Sequence, residues 1–232
     1  SADLMVMLKY LRDNGQRLFG YNNIGFDWPV CDHLMRIFGS VGFFTADDAR
    51  SKCNAIFASQ NRFEHLVKPW EIMVTQGDLF KLHHFDNSAR STSLKKLEIN
   101  MRARKVVDLP YPPDQPTTDA QKDEIIAYMC HDINETMRFY LYSVDRINFR
   151  DDLAAKYPDL GDVLNFNDTK IGKQFFIMQL EKAGTKCFTT RPKKPIQTIR
   201  EQINIGEIIS PKAVFKHPEF IRVLDWLKTQ SI

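Results

Sequence analysis

The chain has no apolar run of the roughly 18 residues that a membrane-spanning helix needs. It has no internal repeat and no low-complexity tract, which excludes solenoids and compositionally driven disorder. Its opening, Ser1-Ala2-Asp3-Leu4, lacks the basic flank and apolar core of a secretory signal. It also lacks a starting Met, which points to a trimmed or excised chain. Cysteine is scarce. Cys31, Cys53, Cys130 and Cys187 form no Cys-x-x-Cys pair, which argues against a zinc site or a disulfide framework. Buried free thiols in a reducing compartment are expected instead. Charge of one sign is lacking too. A net charge of +3 neither demands nor forbids nucleic acid, so local charge must decide.

What is present favours order. The 232 residues are 43% hydrophobic and include 17 Phe, enough for one sizeable core or one domain with an appendage. Leu4 to Leu11 predicts a short amphipathic helix ended by Asn14-Gly15. Arg17 to Tyr21 predicts a strand, Phe26 to Phe38 a helix starting near Pro29, and Ala46 to Phe63 another helix. A strand near Asp78 is expected within Glu71 to Leu82, then a compact helix from Ser93 to Met101. Leu109-Pro110-Tyr111-Pro112-Pro113 breaks the chain into an extended connector. Thr118-Asp119-Ala120-Gln121 has the form of a capping box and opens a long helix. Its apolar stripe, Ile125, Tyr128, Met129, Ile133, Met137 and Tyr140, is expected to be buried. Beyond Asn148 come a turn-rich stretch from Tyr157 to Asn167, a helix over Ile171 to Leu180 and a closing helix over Phe220 to Leu227. Residues 1–148 therefore read as one α/β domain, and 149–232 as a C-terminal extension or connector.

Two strings carry chemistry. The first is Gly20-Tyr21-Asn22-Asn23-Ile24-Gly25-Phe26-Asp27-Trp28-Pro29; the second is Tyr128-Met129-Cys130-His131-Asp132. Asp132 lies four residues after Tyr128, on the same helical face. A carboxylate on an apolar stripe is costly unless it is paired or metal-bound. Two-metal phosphodiester hydrolysis uses hard divalent ions about 3.5–4 Å apart, held by carboxylates, with a tyrosine or histidine orienting the water.

These strings resemble the second and third motifs of the DEDDy 3′–5′ exonucleases, as found in family B DNA polymerases and phage relatives. Between them, Gly77-Asp78-Leu79-Phe80 resembles the family's intervening strand. Thr92-Ser93-Leu94-Lys95-Lys96-Leu97-Glu98 resembles the helix after it. The resemblance covers roughly Arg17 to Tyr142. It implies a ribonuclease-H-like mixed sheet flanked by helices, and removal of nucleotides from DNA 3′ ends, single-stranded ones foremost, with Mg2+ or Mn2+. Asp27 and Asp132 would be metal ligands and Tyr128 would contact the attacking water. Asn22, Asn23 and Phe26 would line the path of the strand, and Asp78 would support the sheet end. A polymerase or other replication proteins are the implied partners. The implied setting is the cytoplasm of a bacterial or phage-infected cell.

One element is missing. The family's first motif, Asp-x-Glu on an opening strand, is not found; Asp3 and Asp13 are the only acids before Asp27. The opening strands therefore read as absent. Three explanations stand: a fragment, which is favoured, a first motif supplied by another chain, or a degenerate domain that binds nucleic acid or assembles with a polymerase without cutting. An unrelated α/β domain is the fourth reading.

Plainer roles are open for the same residues. Asp27 could cap the helix after it. Tyr128 could be a core aromatic, and Asp132 could pair with a buried Arg or Lys. His131 is expected to face away from Asp132. His83-His84 with Asp86 is a poor metal site, because adjacent side chains on a strand diverge. The segment Arg90 to Lys105 carries Arg90, Lys95, Lys96, Arg102, Arg104 and Lys105 against Glu98, and is a candidate for phosphate contact. Arg191, Lys193 and Lys194 form a second, weaker candidate.

Overall fold

The computed structural model describes residues 2–61, 63–112, 115, 117–197 and 199–232. The chain divides into two compact units, Ser1–Met178 and Gln179–Ile232.

The first unit is built around a small parallel sheet. Helix α1 (Ala2–Asp13) places Leu4, Leu8 and Leu11 on one face and buries Leu8. Gly15, at φ +61°, turns the chain out of the helix in the left-handed region open to glycine. Strand β1 (Arg17–Gly20) then pairs with β2 (Thr75–Asp78), with Phe19 opposite Gly77. A Cβ on Gly77 would lie 2.2 Å from the Phe19 ring, so the ring covers the strand only because Gly77 has no side chain. Parallel pairing needs a crossover, supplied by α2 (Asp27–Val41) and α3 (Ala46–Ala58). Thr45 and Asp48 form the capping box of α3.

Directly after β2 comes α4 (Leu79–Leu82), then α5 (Leu94–Asn100), capped by Ser93. Thr118 and Gln121 form the capping box of α6 (Asp119–Lys156), as their spacing predicts. Alternate residues of β1 enter different clusters, as strand geometry requires. Phe19 and Tyr21 join Leu79, Leu82, Leu97, Phe139 and Ile147; Leu18 joins Leu8, Trp28 and Val74. Burying each large side chain of these clusters stabilises the fold by about 1.5–3 kcal/mol.

Helix α7 (Asp168–Lys182) reaches the end of the first unit. In the second unit, α8 (Ile205–Ile208) is followed by α9 (Pro218–Lys228). Ile203 and Ile232 exchange backbone hydrogen bonds there.

The α/β class is observed, with one sheet of two parallel strands among the described residues. The expected strand around Asp78 stops there, because the Asp78 carboxylate accepts the Phe80 N–H and starts a helix. The helix expected over Ala46 to Phe63 ends at Ala58. Pro113 of the proline connector lies outside the described residues. Asn148 falls inside α6, and the compact division falls thirty residues later, after Met178. The thiols are free, but Cys130 is exposed and Cys31, Cys53 and Cys187 are half-buried rather than buried.

The stripe of α6 needs the largest correction. Met129, Ile133 and Met137 are more than half exposed. The face turned inward carries Glu135, Phe139, Ser143, Ile147 and Arg150 instead. Polar groups there are affordable because they are bonded. Ser143 donates to the Phe139 carbonyl, and Arg150 donates to the carbonyls of Phe166 and Arg146 and to Asp168.

Candidate functional site

A groove of about 750 Å³ runs along β1, between α2 and α6. Asp27 and Trp28 form part of one wall; Asp132, Ile133 and Met137 form part of the other. The two carboxylates that the sequence singles out thus open on one cavity.

Asp27 is the first residue of α2, and Phe26 holds the cap position without a side-chain bond. The carboxylate touches solvent from the concave wall, yet protein crowds its other sides. That crowding pushes its pKa up, and only its own backbone N–H opposes the shift. Among the described residues no cation pairs with Asp27.

Asp132 is compensated. The Lys95 ammonium, from α5, sits 2.8 Å from Asp132 Oδ1 and 3.4 Å from Glu98 Oε1. It also lies 4.7 Å from the centre of the Tyr128 ring, a cation–π contact. Burial works against its charge, but the Asp132 hydrogen bond and the nearby carboxylates outweigh it and raise the Lys95 pKa. Burial and then Asp132 raise the Tyr128 phenol, so it stays protonated at neutral pH and can donate. The pairing of Asp132 with a lysine, one of the plainer readings, is what the fold contains.

Two members of this cluster escape the motif reading. Glu98 is fully buried, and His131 Nε2 lies 3.1 Å from its Oε2. His131 therefore does not face away from Asp132. Glu98, His131 and Asp132 each bring one ligand atom within 4.8 Å of the others, a geometry that could hold a metal ion. Asp27 belongs to no such group of three among the described residues. The signal for Glu98 was available: it stands four residues after Leu94 and three before Met101, on the apolar stripe of α5.

The loop between β1 and α2 is held from below. Asp78 accepts the N–H groups of Asn22 and Ile24 besides that of Phe80. Burial raises its pKa, against the pull of those donors and Lys81. Its role is structural, as the resemblance implies. Asn22 is exposed and left-handed, at φ 60°. Asn23 is buried, donates to Gln76 Oε1 and lies in the lining of the groove. Phe26 lies against Phe57, with ring centres 5.1 Å apart.

Of the expected phosphate contacts, Arg90 and Lys96 are exposed, whereas Lys95 is engaged in the carboxylate cluster. His83 and His84 follow a helical turn rather than a strand, and neither joins a metal-ligand trio among the described residues. No protein family, curated protein or solved structure matches the chain.

Proposed function

We propose that the chain carries the greater part of a DEDDy-type 3′–5′ exonuclease domain of ribonuclease-H-like fold, acting on single-stranded DNA 3′ ends. The observation that carries this reading is the shared groove of Asp27 and Asp132, with Tyr128 one helical turn from Asp132.

Oxygen-rich donors suit Mg2+ or Mn2+. Asp27, crowded and without a cationic partner among the described residues, fits a metal ligand, and Asp132 stands across the groove. A divalent ion bound there would lower the pKa of water and offset charge on the phosphate. Tyr128 would donate to the attacking water or to a phosphate oxygen. Lys95 orders Asp132 and Tyr128 together. Two ions need more carboxylates than Asp27 and Asp132 provide, and a further acidic segment would complete the set. Arg90 and Lys96 would meet the phosphates, and a polymerase or replication complex would present the DNA.

The test is a 3′-labelled single strand, with Mg2+ or Mn2+, offered to the longest native form of the protein. Stepwise loss of 3′ nucleotides is expected, falling on the order of 100-fold or more in Asp27→Asn and Asp132→Ala. An uncut strand, or Asp132→Ala cutting as fast as the parent, overturns the reading. One observation favours a second reading, a non-catalytic domain that binds nucleic acid or assembles with a polymerase. The Lys95 ammonium already sits where Asp132 would meet a cation. Salt-sensitive DNA binding without cleavage and without metal-dependent stabilisation would support that alternative.

A further inference from the structure

Charge is shared unevenly between the two compact units. The second, Gln179–Ile232, carries ten Lys and Arg against five Asp and Glu; the first carries 22 against 24. The small positive charge of the whole chain therefore belongs to its second unit. Within that unit the cations cluster. Lys182, Lys186, Arg191, Lys193, Lys194 and Arg200 follow one another with no acid between Glu181 and Glu201. An ordinary charged surface pairs its cations with neighbouring carboxylates. Helix α9 of the same unit does so, through Arg222 with Glu219 and Lys228 with Asp225. Among the described residues no carboxylate pairs with Lys186, Arg191, Lys193, Lys194 or Arg200.

The backbone gathers these charges on a hairpin. Phe188 and Pro195 form an antiparallel bridge, and the Ile196 N–H donates to the Cys187 carbonyl at 2.9 Å. Thr189 closes the turn. Its N–H donates to the Lys194 carbonyl, and its hydroxyl oxygen accepts the Lys194 N–H at 3.0 Å. Arg191, Lys193 and Lys194 thus share one exposed turn. Like charges on so short a loop repel each other, and a bound polyanion relieves the repulsion. The other side chains say which polyanion. Thr185 and Thr190 add hydroxyls, which with Lys and Arg are the usual donors to phosphate. The one ring of the segment is taken: Phe188 is half-buried, and the Lys193 ammonium lies 5.3 Å from its centre. Single-strand sites set free aromatic faces beside their cations, for bases to stack on. Segments that lie on membranes set Trp, Phe or Leu there. Phosphate contacts without stacking are how proteins hold the backbone of a duplex without reading its sequence.

We infer that the hairpin bearing Arg191, Lys193 and Lys194 is a site for the sugar–phosphate backbone of duplex DNA, bound without regard to sequence. Binding to a phosphate backbone follows from the charges and the turn; the choice of DNA over RNA rests on the proposed exonuclease reading. Each phosphate that the hairpin neutralises releases condensed counterions, so affinity falls steeply with salt. The second unit thereby holds a DNA molecule by residues that do not compete for its 3′ end.

The experiment follows the fluorescence anisotropy of a labelled blunt DNA duplex titrated with the full chain, in EDTA so that nothing is cut. The variant is Arg191→Gln, Lys193→Gln, Lys194→Gln, all at exposed turn positions. Its control, Lys9→Gln, Arg12→Gln, Lys122→Gln, removes the same charge from exposed positions of the first unit. The parent is expected to bind the duplex more tightly than the matching single strand. The hairpin variant should bind ~10-fold more weakly at about 0.1 M salt, with the slope of log affinity against log salt reduced by about 2–3; the control should lose about threefold at most. Acetylation of Lys193 and Lys194, mapped by mass spectrometry, should slow when the duplex is added, a readout that needs no variant. Equal weakening in the two variants, unprotected lysines, or tighter binding to the single strand, to an RNA duplex or to phosphatidylserine vesicles overturns the proposal. The assay holds no divalent ion, so an inactive nuclease would still bind, and an active one would still cut without this hairpin.

Discussion

The two sides of the small sheet treat polar groups in opposite ways. On the β2 side two side chains gather the free backbone groups. Asp78 gathers three backbone N–H groups, and Asn165 closes the strand edge. On the β1 side, among the described residues, Asp27 has no cation, Asn23 Oδ1 and Trp28 Nε1 have no partner, and no further strand pairs with β1. Asp27 and Asp78 both have pKa values raised by burial, so that shift alone does not separate structure from function. Their partners do. Asp78 is surrounded by donors of its own chain, whereas Asp27 is turned to a cavity.

Substitutions should separate the two sides. The largest effect is expected at Asp78→Ala, which orphans three N–H groups and should cost about 3–5 kcal/mol in urea unfolding. Asn165→Ala bares the β2 edge and removes two bonds, a loss of about 2–3 kcal/mol. The third test is a pH slope. Burial, then repulsion by Arg146 and Arg150, pushes the His83 pKa down to about 4. Ser143 spends its only hydrogen on the Phe139 carbonyl, so His83 Nε2 must be the donor in their 2.8 Å bond. Unfolded chains bind the proton near pH 6.5 and the folded chain does not. Stability is therefore complete above that pH and falls as pH drops toward 4, by about 2 kcal/mol after allowing for the partial exposure of the ring. Unfolding of His83→Gln followed from pH 7 to 4 should lack that component. The smallest effect belongs to the other side. Asp27→Asn removes a charge that its crowded side disfavours, but the residue is exposed and solvent screens that penalty, so stability at pH 7 should hold or rise by no more than a few tenths of a kcal/mol, on the order of 0.3 kcal/mol. A loss of several kcal/mol there would erase the contrast.

Much of the framework was legible. Hydrophobic spacing located α1, β1, α2, α5 and α6, and the Thr118 box marked the start of the long helix. The phase of α6 was not. Periodicity shows that Ile133 and Met137 share a stripe, but not that the core takes the stripe of Glu135, Phe139, Ser143 and Ile147. Arg150 favours that face through bonds to Phe166 and Asp168, and Ser143 through the bond it accepts from His83, all beyond the helix. In the site, Asp27 and Asp132 came from local strings. Glu98 and Lys95 act across elements, and their ion pairs with His131 and Asp132 exist only once α5 meets α6.

Helix α6 holds Asp132 and Arg150 on one rigid rod, eighteen residues and about 27 Å apart. Arg150 is held at the far end by the Phe166 carbonyl and the Asp168 carboxylate, both beyond the helix. A rod fixed at one end against rolling is fixed along its whole length. The guanidinium thus joins Lys95, which holds Asp132 directly, in fixing the azimuth at which that carboxylate faces its groove.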